Sequence, residues 1–85
     1  MRSEPDFRRE LRAWVREKAA GRGAEAVTDH TPLFARRCLR SAHLPELLLL
    51  LERLRGAPID LDRLAPGDFR DIDTMVRLFA TTEVQ

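Results

Sequence analysis

The chain has 85 residues, 44% of them apolar and 34% charged, with a formal net charge of +1. A chain of this length supports one modest core that buries about 60–65% of its unfolded surface. That excludes a deep enclosed substrate cavity with its own catalytic apparatus. The longest unbroken apolar run, Leu47 to Leu51, is too short to cross a bilayer. The first residues, "MRSEPDFRRELRAW", carry charge without the apolar stretch of a secretory leader. Residues 1–85 therefore read as a single domain, expected to be monomeric, cytoplasmic and free of membrane.

All the cations are arginines except Lys18. Near-neutral balance, and the lack of aromatics among those arginines, argue against nucleic acid as a partner. The lone Cys38 can form no internal disulfide, and with His30 and His43 it matches no zinc spacing. It reads as a small core hydrophobe.

In chain order, Phe7, Leu11, Trp14 and Val15 fall on one stripe of an amphipathic helix. Ser3 is the expected N-cap, Pro5 lies in the first turn, and Gly21 and Gly23 end the helix. The opposite face, with Arg8, Arg9, Arg12, Arg16 and Glu17, reads as solvated. From Gly21 to Leu39 periodicity is lost, and "VTDHTPLF" has the composition of a loop. Val27, Leu33 and Phe34 are expected to tuck this loop onto the core. Unstructured connections this long are uncommon in small domains and often functional.

The second helix has the strongest signal. Its wheel puts Leu44, Leu47, Leu48, Leu51 and Leu54 on one face and Glu46, Leu49 and Arg53 on the other, with Gly56 and Pro58 as stop signals. Leu49 is expected to be exposed. In "APIDLDRLAPGDF", Ile59, Leu61 and Leu64 are the expected core contacts, with room for one short helical turn between Pro58 and Pro66. Ile72, Met75, Val76 and Phe79 mark a last helix capped by Asp68 or Asp71. The expected fold is all-α: a small bundle of three main helices plus one short helix.

Ser41 followed by Glu46-Leu47, Leu51-Glu52 and Gly56 resembles the second helix of acyl and peptidyl carrier proteins. The continuation "IDLDRLAPGDFRDIDTMVRLF", and the long first loop ending in "LF", are similar to that family too. The resemblance runs from about Phe7 to Phe79 and is most specific from Leu33 onward. It implies an acyl-carrier-like fold with no catalytic residue of its own. It also implies that a phosphopantetheinyl transferase attaches 4′-phosphopantetheine to Ser41. The arm's thiol would then hold an acyl or aminoacyl group as a thioester, supplied by a loading enzyme and passed to downstream biosynthetic enzymes. A serine at a helix N-terminus would lay the phosphodiester beside free backbone N–H groups. Glu46, Leu49 and Arg53 would form the face offered to partners.

Three departures qualify that expectation. The family's Gly-x-Asp-Ser-Leu or Ile pattern is here Cys38, Leu39, Arg40, Ser41 and Ala42. Arg40 thus stands where the family's aspartate lies near the transferase's metal, which a cation repels; once phosphate is present, Arg40 can pair with it instead. Pro45 has no N–H to return to the Ser41 carbonyl, so a helix start later than Ser41 is expected. Arg40, Arg53 and Arg55 counter the acidity usual along this helix. The bland role for Ser41 is a helix N-cap, worth about 1 kcal/mol. A Ser41–His43 hydrolase pair is disfavoured, because residues two apart on a helix diverge. The rival reading is a carrier fold that has lost loading and acts as a protein–protein interaction module.

Overall fold

The computed structural model describes residues 3–21 and 26–80. Among them there is no strand; the fold is a small all-α bundle. Helix α1 is Glu4–Lys18, α2 is Leu44–Arg55 and α3 is Ile72–Met75, which continues as a wider π-helical turn over Val76–Ala80. Short 3-10 turns occupy Ser41–His43, Leu61–Arg63 and Pro66–Phe69.

Helix α1 starts as its sequence dictates. The Ser3 hydroxyl accepts from the Asp6 N–H at 3.3 Å, and Pro5 sits where its missing N–H costs nothing. Glu4 and Asp6 in the first turn and Arg16 and Lys18 in the last suit the helix dipole. Phe7, Leu11 and Val15 are buried and Trp14 is half-buried. The helix ends at Lys18, and Gly21 takes a left-handed φ of 83°; the expected second stop, Gly23, lies outside the described residues.

The arginine face of α1 is not a purely solvated face. Arg8 and Arg12 both reach Asp29 in the long connection. The Arg8 Nη1 donates to Asp29 Oδ2 at 2.6 Å and to Asp73 Oδ1 at 3.3 Å. Arg12 grips both Asp29 oxygens, at 3.0 and 3.2 Å. Arg16 donates to the Val27 carbonyl at 3.1 Å. The Asp73 N–H donates to the Asp29 carbonyl at 2.8 Å, and Arg77 reaches Asp73 at 3.0 Å. One carboxylate thus ties helix, loop and α3 together, while Arg9 and Glu17 stay exposed. Burial by itself pushes the Asp29 pKa up, but hydrogen bonds from Arg8 and then Arg12 outweigh it and hold this carboxyl below the usual carboxylate range.

Val27 and Leu33 are fully buried and Phe34 is half-buried, as expected. The Leu33 N–H donates to the Arg70 carbonyl at 2.8 Å, pinning the connection to the segment before α3. Cys38 is buried and unpaired.

Helix α2 buries Leu47, Leu51 and Leu54 and half-buries Leu44 and Leu48. It also buries Leu50, which the wheel left off the core face, because α2 packs against both α1 and the Val76–Ala80 turn and so needs a wider apolar arc. Gly56 closes the helix with φ 78°, its N–H returning to the Glu52 carbonyl at 2.8 Å.

Between Pro58 and Pro66 lies one short turn, Leu61–Arg63, as expected, and a second, Pro66–Phe69, follows before α3. Ile59 is buried and Leu64 half-buried, but Leu61 is 61% exposed, contrary to expectation. Leu61 opens a turn capped by Asp60, whose carboxylate accepts from the Asp62 N–H. Its neighbours on either side of that turn supply the inward contacts. The cap of α3 is Asp71, which accepts from the Thr74 N–H at 2.7 Å. Asp68 instead closes its own turn through the Ala65 N–H at 2.9 Å. Ile72, Met75, Val76 and Phe79 are buried, as the spacing predicts, and Phe79 stacks on Phe69 with ring centroids 6.0 Å apart.

Candidate functional site

Ser41 opens the 3-10 turn three residues ahead of α2. Pro45 is the cause: as the second residue of α2 it has no N–H to give, so the α-helical hydrogen-bond pattern cannot reach back to Ser41. The Leu44 N–H bonds to the Ser41 carbonyl, and the His43 N–H bonds to the Arg40 carbonyl at 2.8 Å. The two N–H groups that a capping serine would engage are therefore already taken by backbone. The Ser41 side chain is exposed and has no hydrogen-bond partner among the described residues. Neither the capping role nor a phosphodiester laid on free N–H groups fits this geometry. What remains is an accessible hydroxyl with no structural task.

The turn under Ser41 is fixed from three sides. The Arg40 N–H donates to His43 Nδ1 at 3.0 Å, a contact that needs this nitrogen unprotonated. The His43 ring meets Trp14 of α1 edge-on, with centroids 6.4 Å apart. Trp14 Nε1 donates to Glu46 Oε2 at 3.1 Å, and the Lys18 ammonium sits 2.9 Å from the same oxygen. The hydrogen bond from Lys18, then that from Trp14, hold the Glu46 carboxyl below the usual carboxylate range. The last turn of α1 thus clamps the first turn of α2.

Of the three residues expected on the partner face, Glu46 is on the surface but bonded to α1. Leu49, 68% exposed, and Arg53 stand free further along α2. No signal in the sequence marks the Trp14–Glu46 and Lys18–Glu46 contacts, which join residues far apart in the chain.

Two openings meet at Ser41. One is an apolar slot of about 470 Å³ lined by Phe34, Leu44, Leu64, Ala65 and Phe69, with Ser41 at its edge. The other shares Phe34 and Ser41 and is lined in addition by Arg37, Leu39 and Arg40. Arg37 has a left-handed φ of 61°, a conformation that costs a residue with a side chain about 1–2 kcal/mol. Its N–H bonds to the Phe34 carbonyl at 3.1 Å, and the Cys38 N–H beside it bonds to the Leu33 carbonyl at 2.8 Å, holding the loop in that shape. Arg37 and Arg40 are exposed and have no ion-pair partner among the described residues. The sequence points to Arg40 here but not to Arg37 or the slot, which is assembled from two stretches of the chain, 34–44 and 64–69.

No group of three or more histidine, cysteine, aspartate or glutamate side chains among the described residues is placed to hold a metal ion. No described helix is long and apolar enough to cross a membrane. Comparison of the chain with protein-family models, with curated proteins and with solved structures gives no match.

Proposed function

We propose that this chain is a carrier that holds an acyl or aminoacyl group on a 4′-phosphopantetheine arm attached to Ser41. The observation that carries the reading is the state of that serine: exposed, its hydroxyl without a hydrogen-bond partner among the described residues, and set in a hydrogen-bonded turn beside an apolar slot. A capping serine would have its oxygen turned to backbone; this one faces outward, where a transferase can reach it. The residues present fit the group. Arg40 and Arg37 line the same opening as Ser41 and can pair with a phosphodiester there, and the slot offers apolar walls to an attached chain. The arm supplies the thiol for thioester chemistry. The chain's own contribution is to fix Ser41 through Arg40, His43, Trp14 and Glu46, and to offer Leu49 and Arg53 to partner enzymes. Those partners are a phosphopantetheinyl transferase, a loading enzyme and later biosynthetic enzymes, and the setting is cytoplasmic.

A second reading is supported by Arg40. Its exposed cation stands where the resemblance implies an acid near the transferase's metal, so the domain could keep the fold and the α2 ridge while acting only as a protein–protein interaction module.

Incubation with coenzyme A and a broad-specificity phosphopantetheinyl transferase, followed by intact-mass measurement, separates the two. On the carrier reading wild type gains one phosphopantetheinyl group, Ser41→Ala gains none, and Arg40→Asp is loaded faster than wild type. An unmodified wild type beside a fully modified Arg40→Asp sinks the carrier reading in favour of the interaction module. Because the Ser41 hydroxyl makes no cap, Ser41→Ala is expected to keep its stability within about 0.5 kcal/mol in urea titration; a loss near the 1 kcal/mol of a broken cap would contradict the geometry.

A further inference from the structure

We infer that the surface beside Ser41 also binds, without any covalent bond, a phosphate ester with an apolar tail, of the acyl-coenzyme A class. The slot lined by Phe34, Leu44, Leu64, Ala65 and Phe69 and the opening lined by Arg37 and Arg40 share Phe34 and Ser41 as a common wall. An apolar slot and an opening lined by two arginines therefore adjoin at Phe34 and Ser41.

The charge at that junction is unbalanced. Arg37 and Arg40 have no counter-ion among the described residues, and the carboxylates of the segments around them are committed elsewhere. Glu46 is held by Lys18 and Trp14, Asp68 by the Ala65 N–H, and Asp29 by Arg8 and Arg12. Two like charges on residues that line one opening repel each other until an anion enters. Guanidinium groups bind phosphate oxygens through paired, charge-assisted hydrogen bonds. A carboxylate-rich peptide could meet the arginines but would leave the slot empty. A nucleic acid finds no exposed aromatic ring here to stack on, since Phe34 and Phe69 line the slot. The ligand that meets both halves carries phosphate at one end and an alkyl chain at the other. The slot's volume lies within the range of about 300–1,000 Å³ found for small-molecule sites.

This site needs neither the Ser41 hydroxyl nor a transferase, so it can be tested where loading is impossible. Ser41→Ala protein is titrated with octanoyl-coenzyme A and followed by amide chemical shifts. Saturable changes are expected at Phe34, Arg37, Arg40, Leu44 and Phe69. Affinity is expected to fall at least about ten-fold for coenzyme A without the acyl chain, and by a similar factor for octanoate without the phosphates. Arg37→Glu with Arg40→Glu in the same background is expected to lose binding by more than about ten-fold, and Arg40→Gln by an intermediate factor. Both arginines are exposed, so an unchanged amide spectrum of the free variants checks that the fold is kept. Absence of saturable shifts, equal affinity in the arginine variants, or octanoate binding as tightly as its thioester overturns the proposal. None of these outcomes depends on whether wild-type Ser41 is loaded, which the intact-mass experiment decides alone.

Discussion

Leu51→Ala is expected to lower the free energy of unfolding by about 2–5 kcal/mol, whereas Leu49→Ala, two residues away, should change it by no more than about 0.5 kcal/mol. Leu51 is wholly buried in the shared core of α1, α2 and α3, and no neighbouring segment can collapse fully into the space its side chain leaves. A chain of 85 residues has roughly 4–13 kcal/mol of stability in all, so the first substitution removes a large part of it. Leu49 is 68% exposed and touches solvent where Leu51 touches core. Urea titration of both variants measures the contrast. A loss above about 2 kcal/mol at Leu49 would mean that this leucine is packed, and would remove it from the proposed partner face. An unchanged stability leaves Leu49 free for partner contact, so on the proposed carrier function Leu49→Ala should then slow transfer to or from a partner enzyme without unfolding the chain.

Asp29→Asn is the second variant with a large expected effect. It removes the negative charge that Arg8 and Arg12 share, leaving two part-buried guanidinium groups with a weaker acceptor. Hydrogen bonds to charged groups are worth about 1.5–3 kcal/mol each, and the replacement amide keeps one acceptor oxygen, so a net loss of about 2 kcal/mol is expected. The same carboxylate makes stability depend on pH. Its folded pKa lies below the unfolded one, so folding favours the ionised form. The contribution is fully present above the unfolded value of about 3.9 and disappears as pH falls through the lower folded value. Wild type should therefore lose stability more steeply than Asp29→Asn below about pH 4. Parallel pH profiles for the two proteins would show that Asp29 titrates alike in both states and that the network does not anchor the loop.

The helices were legible because their causes are local. The Ser3 cap, the Phe7–Leu11–Val15 stripe, the leucine face of α2, the Gly56 stop and the Ile72–Met75–Val76–Phe79 spacing depend on periods of three and four residues and on cap chemistry. The errors fall where the partner is distant. Arg8, Arg12 and Arg16 look like any solvated stripe, because Asp29 and Val27 lie in a segment without period. Leu50 looks peripheral until a second packing neighbour widens the buried arc of α2. Leu61 looks like a core residue until a three-residue turn points it outward.

The candidate site divides in the same way. Residue order alone singled out Ser41 and, through Pro45, the late start of α2, since a missing N–H is a property of the residue. Tertiary structure decided that Ser41 caps nothing, because the N–H groups it would serve are taken by the Arg40 and Ser41 carbonyls. It also decided that Glu46 is bound to Trp14 and Lys18, and that Phe34, Leu44, Leu64 and Phe69 close a slot beside Arg37 and Arg40. Caps, stops and apolar stripes are written over a few neighbouring residues. Which charges are paired, and which walls meet, depends on chain segments brought together only when the core forms.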